Sequence, residues 1–178
     1  GGFVRDMMPL VRQAVGGQRT VTLEVEDGRH DVLVDSGQLS SAVLNLVINS
    51  RDATDNGGSV VVRVGRHDVG PESSELAPGQ YVMVEVSDDG AGMTPEVGAR
   101  AFEPFFSTKS TGNGTGLGLT AVYSFATQSG GVATITTEPG HGTSVQMLLP
   151  LVSAPQDDAP AVHAPRARGE RRVLVVDD

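Results

Sequence analysis

The sequence predicts an α/β domain, and three observations carry that prediction. Runs with the two-residue period of strands alternate with stretches at helical period, in a chain of 178 residues, long enough to close one core. Residues 38–56, QLSSAVLNLVINSRDATDN, are apolar at helical period except along one seam: Gln38, Ser41, Asn45, Asn49, Asp52 and Asn56. Residues 88–118 are rich in glycine and loop residues, inside an otherwise regular chain.

In order, residues 3–15 carry an amphipathic pattern broken by Pro9, read as a short helix linking to something upstream. TVTLEVE (20–26) and DVLVD (31–35) alternate as strands, and the Asp-Gly between them signals a tight hairpin. Asp35 with Gln38 three positions on fits a capping box opening the central helix, which stops at Asn56-Gly57-Gly58. Strands follow at 59–69 and 80–90, around the polar turn 70–79. LGLTAVYSFATQSG (117–130) is helical again, and 131–138 and 142–150 are strands around the turn PGHG. Residues 151–172 are Pro, Ala and charge without a period, a linker, and VLVVDD (173–178) reads as the opening strand of another domain. The chain starts at Gly1 and ends just after that strand, so it reads as a fragment with four parts: 1–19, 20–150, 151–172 and 173–178.

Composition excludes several classes. The net charge of -9 provides no basic field for nucleic acid. No apolar run approaches the length a bilayer needs, and no basic-then-apolar leader opens the chain. Zero cysteines exclude disulfides and cysteine-ligated zinc, and suit a reducing, cytoplasmic setting. An acidic chain can still bind a small phosphate ligand where amides, metal or a placed cation offset the charge.

The chemistry concentrates in three places. The inverted helix should be buried nearly all round, its seam facing a cavity; a core helix whose amides cap nearby loops would show the same pattern. Two neutral amides one turn apart, Asn45 and Asn49, can offer oxygens to a hydrated metal without adding charge. Asp88-x-Gly90-x-Gly92 lies where a strand runs out: its carboxylate can accept from an exocyclic amine, and its glycines let a flat ring approach the backbone. Gly114-Thr115-Gly116-Leu117-Gly118-Leu119 leads straight into a helix, exposing amides and the positive dipole end to an anion. Lys109, between the two glycine boxes, is a candidate phosphate partner. Pro95 stands where a dinucleotide fingerprint needs its third glycine, and no Walker-type loop occurs.

Together these boxes resemble the ATP-binding catalytic domain of sensor histidine kinases, in the superfamily shared with type II topoisomerases, Hsp90 chaperones and MutL. LNLVINSRDA (44–53) resembles the asparagine box, SDDGAGM (87–93) the first glycine box and FEPFFSTK (102–109) the phenylalanine box. GTGLGL (114–119) resembles the second glycine box and GHGTSVQMLLP (140–150) the closing strand motif. The resemblance implies a two-layer sandwich, a mixed sheet packed against three helices, with ATP between helices and a mobile lid. It implies that Asn49 ligates Mg²⁺, and that Asn45 and Lys109 are catalytic and, with Asp52, stand on the phosphate side. It implies that Asp88 reads the adenine amine, with Gly90, Gly92 and Thr143 around the ring. Residues 102–116 become the lid, anchored by Phe102 and Phe105, while Gly114, Thr115, Gly116, Leu117, Gly118 and Leu119 cradle the triphosphate. Asp89, where the family often has asparagine, is expected to point outward.

None of the four histidines, His30, His67, His141 and His163, lies in an apolar helical setting suited to a phosphoacceptor. The resemblance therefore implies an upstream histidine-bearing dimerisation domain as partner and a homodimeric parent. VLVVDD resembles the first strand of a receiver domain, with Asp177 and Asp178 as its acid pair, so a hybrid kinase is implied. Two rival readings stand beside it, an ATP-hydrolysing conformational module of the same superfamily and a non-catalytic nucleotide-sensing module. Against the first, resembling hydrolases carry a glutamate base where this chain has Asn45, and an amide cannot accept a proton from attacking water.

Overall fold

The structure is a computed structural model that describes residues 2–109 and 115–152. The elements are α1 (Gly2–Val15), β1 (Thr20–Val25), α2 (Ser36–Ala53), β2 (Ser59–Val69), β3 (Gly79–Asp88), α3 (Pro95–Arg100), α4 (Gly118–Gln128), β4 (Val132–Glu138) and β5 (Gly142–Pro150). The strands form one five-stranded mixed sheet in the order β1-β2-β3-β5-β4, as the α/β sandwich requires. β1 runs parallel to β2, and the other neighbouring pairs are antiparallel.

Alternation decides which face of the sheet is covered. Val60, Val62 and Val64 of β2, Val82, Val84 and Val86 of β3, and Val145, Met147 and Leu149 of β5 are buried in the same core as the apolar faces of α1, α2 and α4. Several intervening positions carry polar groups, among them Arg63, whose guanidinium bridges Glu24 and Glu85 across three strands. Among the described residues, no helix is long and apolar enough to cross a membrane.

Three differences from the sequence reading have physical causes. Residues 2–15 form one helix through Pro9, and Val4, Met7, Met8, Val11 and Val15 lie in the core. An interior proline costs about 3 kcal/mol, but each buried side chain of that size returns about 1.5–3 kcal/mol, so the stripe wins. Pro9 itself faces solvent.

DVLVD is not a strand and forms no hairpin with β1. Its only strand pairing among the described residues is a single bridge, Val32 to Leu151. Because β1 and β2 are parallel, the chain must cross over between them, and residues 31–35 are the approach to the crossover helix α2. Val32 and Val34 pack against the core, which imitates a strand's alternation, while Leu33 points out.

The third difference is α3, a single turn and a half inside the segment read as loop. Its signals were present: Thr94 caps Val97 at 3.4 Å, and Pro95 stands at the first helical position.

Asp35 does cap α2, accepting from the Gln38 amide at 2.8 Å. At the far end, the Thr54 hydroxyl returns a bond to the Ser50 carbonyl, and Arg19 donates twice to the Thr54 carbonyl. Both ends of the helix are thus held in place.

Candidate functional site

A cavity of about 550 Å³ opens between α2, the turn after β3, α3, residues 106–109 and the start of α4. Its size suits a nucleotide-sized ligand. Asn45, Asn49 and Asp52 line it, so the middle of the polar seam on α2 does face a cavity. Leu39, Ala42, Val43, Leu46 and Val47 on the rest of the helix are buried in the core. Gln38, Ser41 and Asn56 are exposed and stand apart from the cavity.

Asp88 marks one end. It sits at the last position of β3, opposite Thr143 of β5 in the sheet register. Its Oδ1 accepts from the Gly90 amide at 3.1 Å and from the Thr143 amide at 3.2 Å. Burial raises the Asp88 pKa above the ordinary 3.8, against hydrogen bonds from Ser50, Gly90 and Thr143 that pull it down. The Thr143 hydroxyl lies 3.0 Å from that of Thr137, which also accepts from the Met93 amide at 2.9 Å. This small network fixes the wall of the cavity around Asp88.

The glycines of the turn act through close approach. Gly92 has φ 63°, and a Cβ there would run into the Glu138 carbonyl. Gly90 faces the carbonyl of Ala53 instead, and the next amide, Ala91, donates to that carbonyl at 3.0 Å. Gly92 lines the cavity; Gly90 shapes the turn from behind. Asp89 turns outward, as expected, and accepts from the Ser59 amide at 2.8 Å.

The other end is built by the start of α4. Thr115, Gly116, Gly118 and Leu119 line the cavity, and among the described residues no side chain caps the helix. The first amides of a helix have no acceptor within it, so those of Gly118, Leu119 and Thr120 present the positive end of the α4 dipole at this end of the cavity. A Cβ on Gly118 would stand 3.6 Å from Asn49 Nδ2, so the helix start and the asparagine seam face each other directly.

Lys109 reaches this end from the far wall. Its Nζ donates to Asp52 Oδ2 at 2.7 Å. Arg51 holds the other oxygen, with Nε at 2.8 Å and Nη2 at 2.6 Å from Oδ1. Burial works to raise the Asp52 pKa, but the bonds from Lys109 and Arg51 outweigh it and hold the carboxyl below 3.8.

The phenylalanine box divides differently from the expectation. Phe102 is half-buried, its ring 5.4 Å from Tyr123 of α4. Phe105 is 78% exposed and has φ 64°, so it anchors nothing in the described residues. Its amide donates to the Gly116 carbonyl at 3.0 Å, and that backbone contact turns its side chain away. Phe106 takes the cavity wall instead, with Arg100 4.3 Å over its ring. Leu117, expected in the cradle, is exposed and does not line the cavity. Gly114 and the middle of the expected lid lie outside the described residues.

Sequence reasoning missed Ser50, Met93, Phe106, Ile135 and Val145, all of which line the cavity. Val145 was open to inference, since it lies two residues on from Thr143 along β5 and therefore on the same face of the sheet. Nothing in the doublet Phe105-Phe106 marks which ring turns inward.

Residues 34–153 match the family model described as histidine kinase-, DNA gyrase B-, and HSP90-like ATPase. Sensor kinase CckA of Brucella abortus (strain 2308) is 34% identical over 188 residues, covering 97% of this chain; the chain spans 20% of that relative's length. Among solved structures, the mycobacterial sensor histidine kinase MprB is 25% identical with TM-score 0.65, over 84% of this chain and 91% of that one. Full-length ShkA, solved in complex with AMPPNP, is 25% identical with TM-score 0.68, over 86% of this chain and 30% of that one. The cavity between α2 and α4 thus sits in a known setting: the chain belongs to the histidine kinase-, DNA gyrase B- and HSP90-like ATPase family and carries the ATP-binding catalytic domain of sensor histidine kinases.

Proposed function

We propose that this chain binds Mg²⁺-ATP and donates the γ-phosphate to a histidine on a separate dimerisation domain, within a hybrid two-component sensor kinase. The observation that carries the reading is the facing of Asn49 and the uncapped start of α4 across one cavity, with Asp88 at its opposite end. Asp88 accepts from the adenine amine, and the Gly92 turn and Thr143 flank the ring. The phosphates extend toward the amides of Gly116 to Leu119, with Asn45 and Lys109 beside them.

The donor set fits a magnesium ion that arrives with its phosphates. Asn45 and Asn49 offer neutral amide oxygens, and magnesium keeps waters and phosphate oxygens for its remaining positions. Asn49 would hold it, and the ion, when bound, neutralises charge on the transferring phosphoryl group. The chain's own residues supply position: the β–γ bridging bond breaks, ADP leaves, and the phosphorus joins a ring nitrogen of the partner histidine. Residues 102–116 act as the lid over this step, with Lys109 its cation. On the partner side, the receiver-like tail and an alignment with a sensor kinase that runs over nearly the whole chain support a receiver as second acceptor.

Incubation with γ-labelled ATP tests the reading. The chain alone should bind ATP, release phosphate very slowly and take up no label. Adding a helical domain bearing the acceptor histidine should yield an acid-labile phosphohistidine on that partner. Rapid phosphate release by the chain alone would instead mark a hydrolase. Tight binding with no transfer to a cognate partner would mark a sensing module.

A further inference from the structure

The Arg51 guanidinium does three things at once. Its Nη1 donates to the carbonyl of Ala14 near the end of α1 at 3.1 Å. Its Nε and Nη2 hold Asp52 Oδ1, at 2.8 and 2.6 Å. Asp52 Oδ2 is left for Lys109, at 2.7 Å. One carboxylate therefore lies between two cations, one fixed to the helical scaffold and the other on the segment 106–109 that lines the cavity.

The two cations are not equivalent. Arg51 is tied at both ends, to backbone on α1 and to a carboxylate, so it is already ordered and loses little freedom by staying. Lys109 is a flexible ammonium with a single partner among the described residues, and it lines the cavity. A polyphosphate entering beside Asn49 offers Lys109 several anionic oxygens against one carboxylate oxygen. Were Asp52 held by Lys109 alone, that exchange would leave a bare carboxylate facing phosphates. With Arg51 in place, Asp52 stays neutralised while Lys109 moves.

We propose that Arg51 is a positioning residue for phosphate binding, sharing Asp52 with Lys109 so that Lys109 can transfer to the ligand's phosphates. This rests on the nucleotide reading above. It makes Asp52 a counter-ion for Lys109 in the free protein, rather than a group that binds the nucleotide.

The test is a set of binding titrations on the full chain with ATP and with adenosine, for wild type, Arg51→Gln, Asp52→Asn and the double variant. Arg51→Gln should weaken ATP binding about two- to fivefold at low salt, the range of a partly exposed ion pair, and leave adenosine binding unchanged. The loss should shrink at high salt. Asp52→Asn should strengthen ATP binding, and the double variant should match Asp52→Asn, since Arg51 acts only through that carboxylate. Thermal melting of each variant checks that it folds, and Arg51→Lys, which keeps the charge, should recover part of the loss.

Equal losses for ATP and adenosine in Arg51→Gln would overturn the inference and leave Arg51 a tie between helices. Weaker ATP binding by Asp52→Asn would also overturn it, and would return Asp52 to the ligand site. If wild type bound no ATP at all, the nucleotide reading would fall first and this inference with it. Wild-type binding together with an unaffected Arg51→Gln would sink this inference alone.

Discussion

The Asp88 carboxylate of β3 accepts the Thr143 amide of β5 at 3.2 Å, so a residue lining the cavity also ties two inner strands together at their cavity end. Burial raises its pKa above the ordinary 3.8. A carboxyl with a raised folded pKa favours the fold below its unfolded pKa, and that contribution is lost as pH rises through the folded value. At neutral pH the ionised group therefore weighs against the ligand-free fold. Asp88→Asn should raise the melting temperature without ligand, because the amide oxygen still accepts from Gly90 and Thr143 and carries no charge. The same change should weaken ATP by roughly 1–3 kcal/mol, the range for an unpaired buried partner. GTP, which lacks the amine, should be far less affected. A lower melting temperature with equal losses for both nucleotides would mean that Asp88 only shapes the turn.

Asn49→Ala should abolish most of the magnesium dependence of nucleotide binding and leave the fold intact. Asn49 is half-buried at the cavity wall, and the core side of α2 is carried by other residues. Titrating a fluorescent ATP analogue with and without Mg²⁺ measures this directly. An unchanged difference between the two titrations would remove Asn49 from the metal.

His30 predicts a pH dependence away from the cavity. It is 6% exposed, and its Nε2 has no partner among the described residues. Burial lowers its pKa from 6.5, Arg66 adds to that, and Glu26 opposes it. With the folded pKa below the unfolded one, the unfolded chain binds the proton more readily. Stability is then complete above about pH 6.5 and falls as pH drops toward the folded pKa. Denaturant midpoints for wild type should fall as pH drops from about 7.5 to about 5.5, a range that brackets the ordinary histidine value of about 6.5. His30→Gln should flatten that slope, and an identical slope in both proteins would acquit His30.

Gly92→Ala should destabilise by about 2 kcal/mol or more, since it combines a left-handed backbone with a collision. The added Cβ would meet the Glu138 carbonyl, part of the end of β4 and unable to yield as a side chain does. Gly140→Ala is the control: φ is 78°, but nothing lies within 4 Å of the added carbon. Its cost should stay near 1 kcal/mol. Denaturant midpoints with unchanged slopes would measure both, and equal costs would mean that backbone strain alone decides.

Much of the site was legible along the chain. The seam of Asn45, Asn49 and Asp52 follows from helical period, and the Asp-x-Gly-x-Gly turn and glycine-rich helix start follow from local chemistry. The cap at Asp35 and the outward Asp89 are likewise properties of a few neighbouring residues. Such features are set within one or two turns of backbone, where sequence distance and spatial distance are nearly the same.

What only the tertiary structure decided depends on partners far along the chain. DVLVD has a strand's alternation, but the parallel pairing of β1 with β2 turns it into a crossover approach. Pro9 should break a helix, yet the stripe from Val4 to Val15 keeps α1 whole because α2 and the sheet bury it. Phe105 and Phe106 are the same residue side by side, and a backbone bond to Gly116 goes with one turned out while the other forms the wall. Arg51 joins its neighbour Asp52 to Ala14 and, through Asp52, to Lys109, positions far apart in sequence. Local rules state what each segment can do; which option it takes is set by burial and pairing with segments that only the fold brings near.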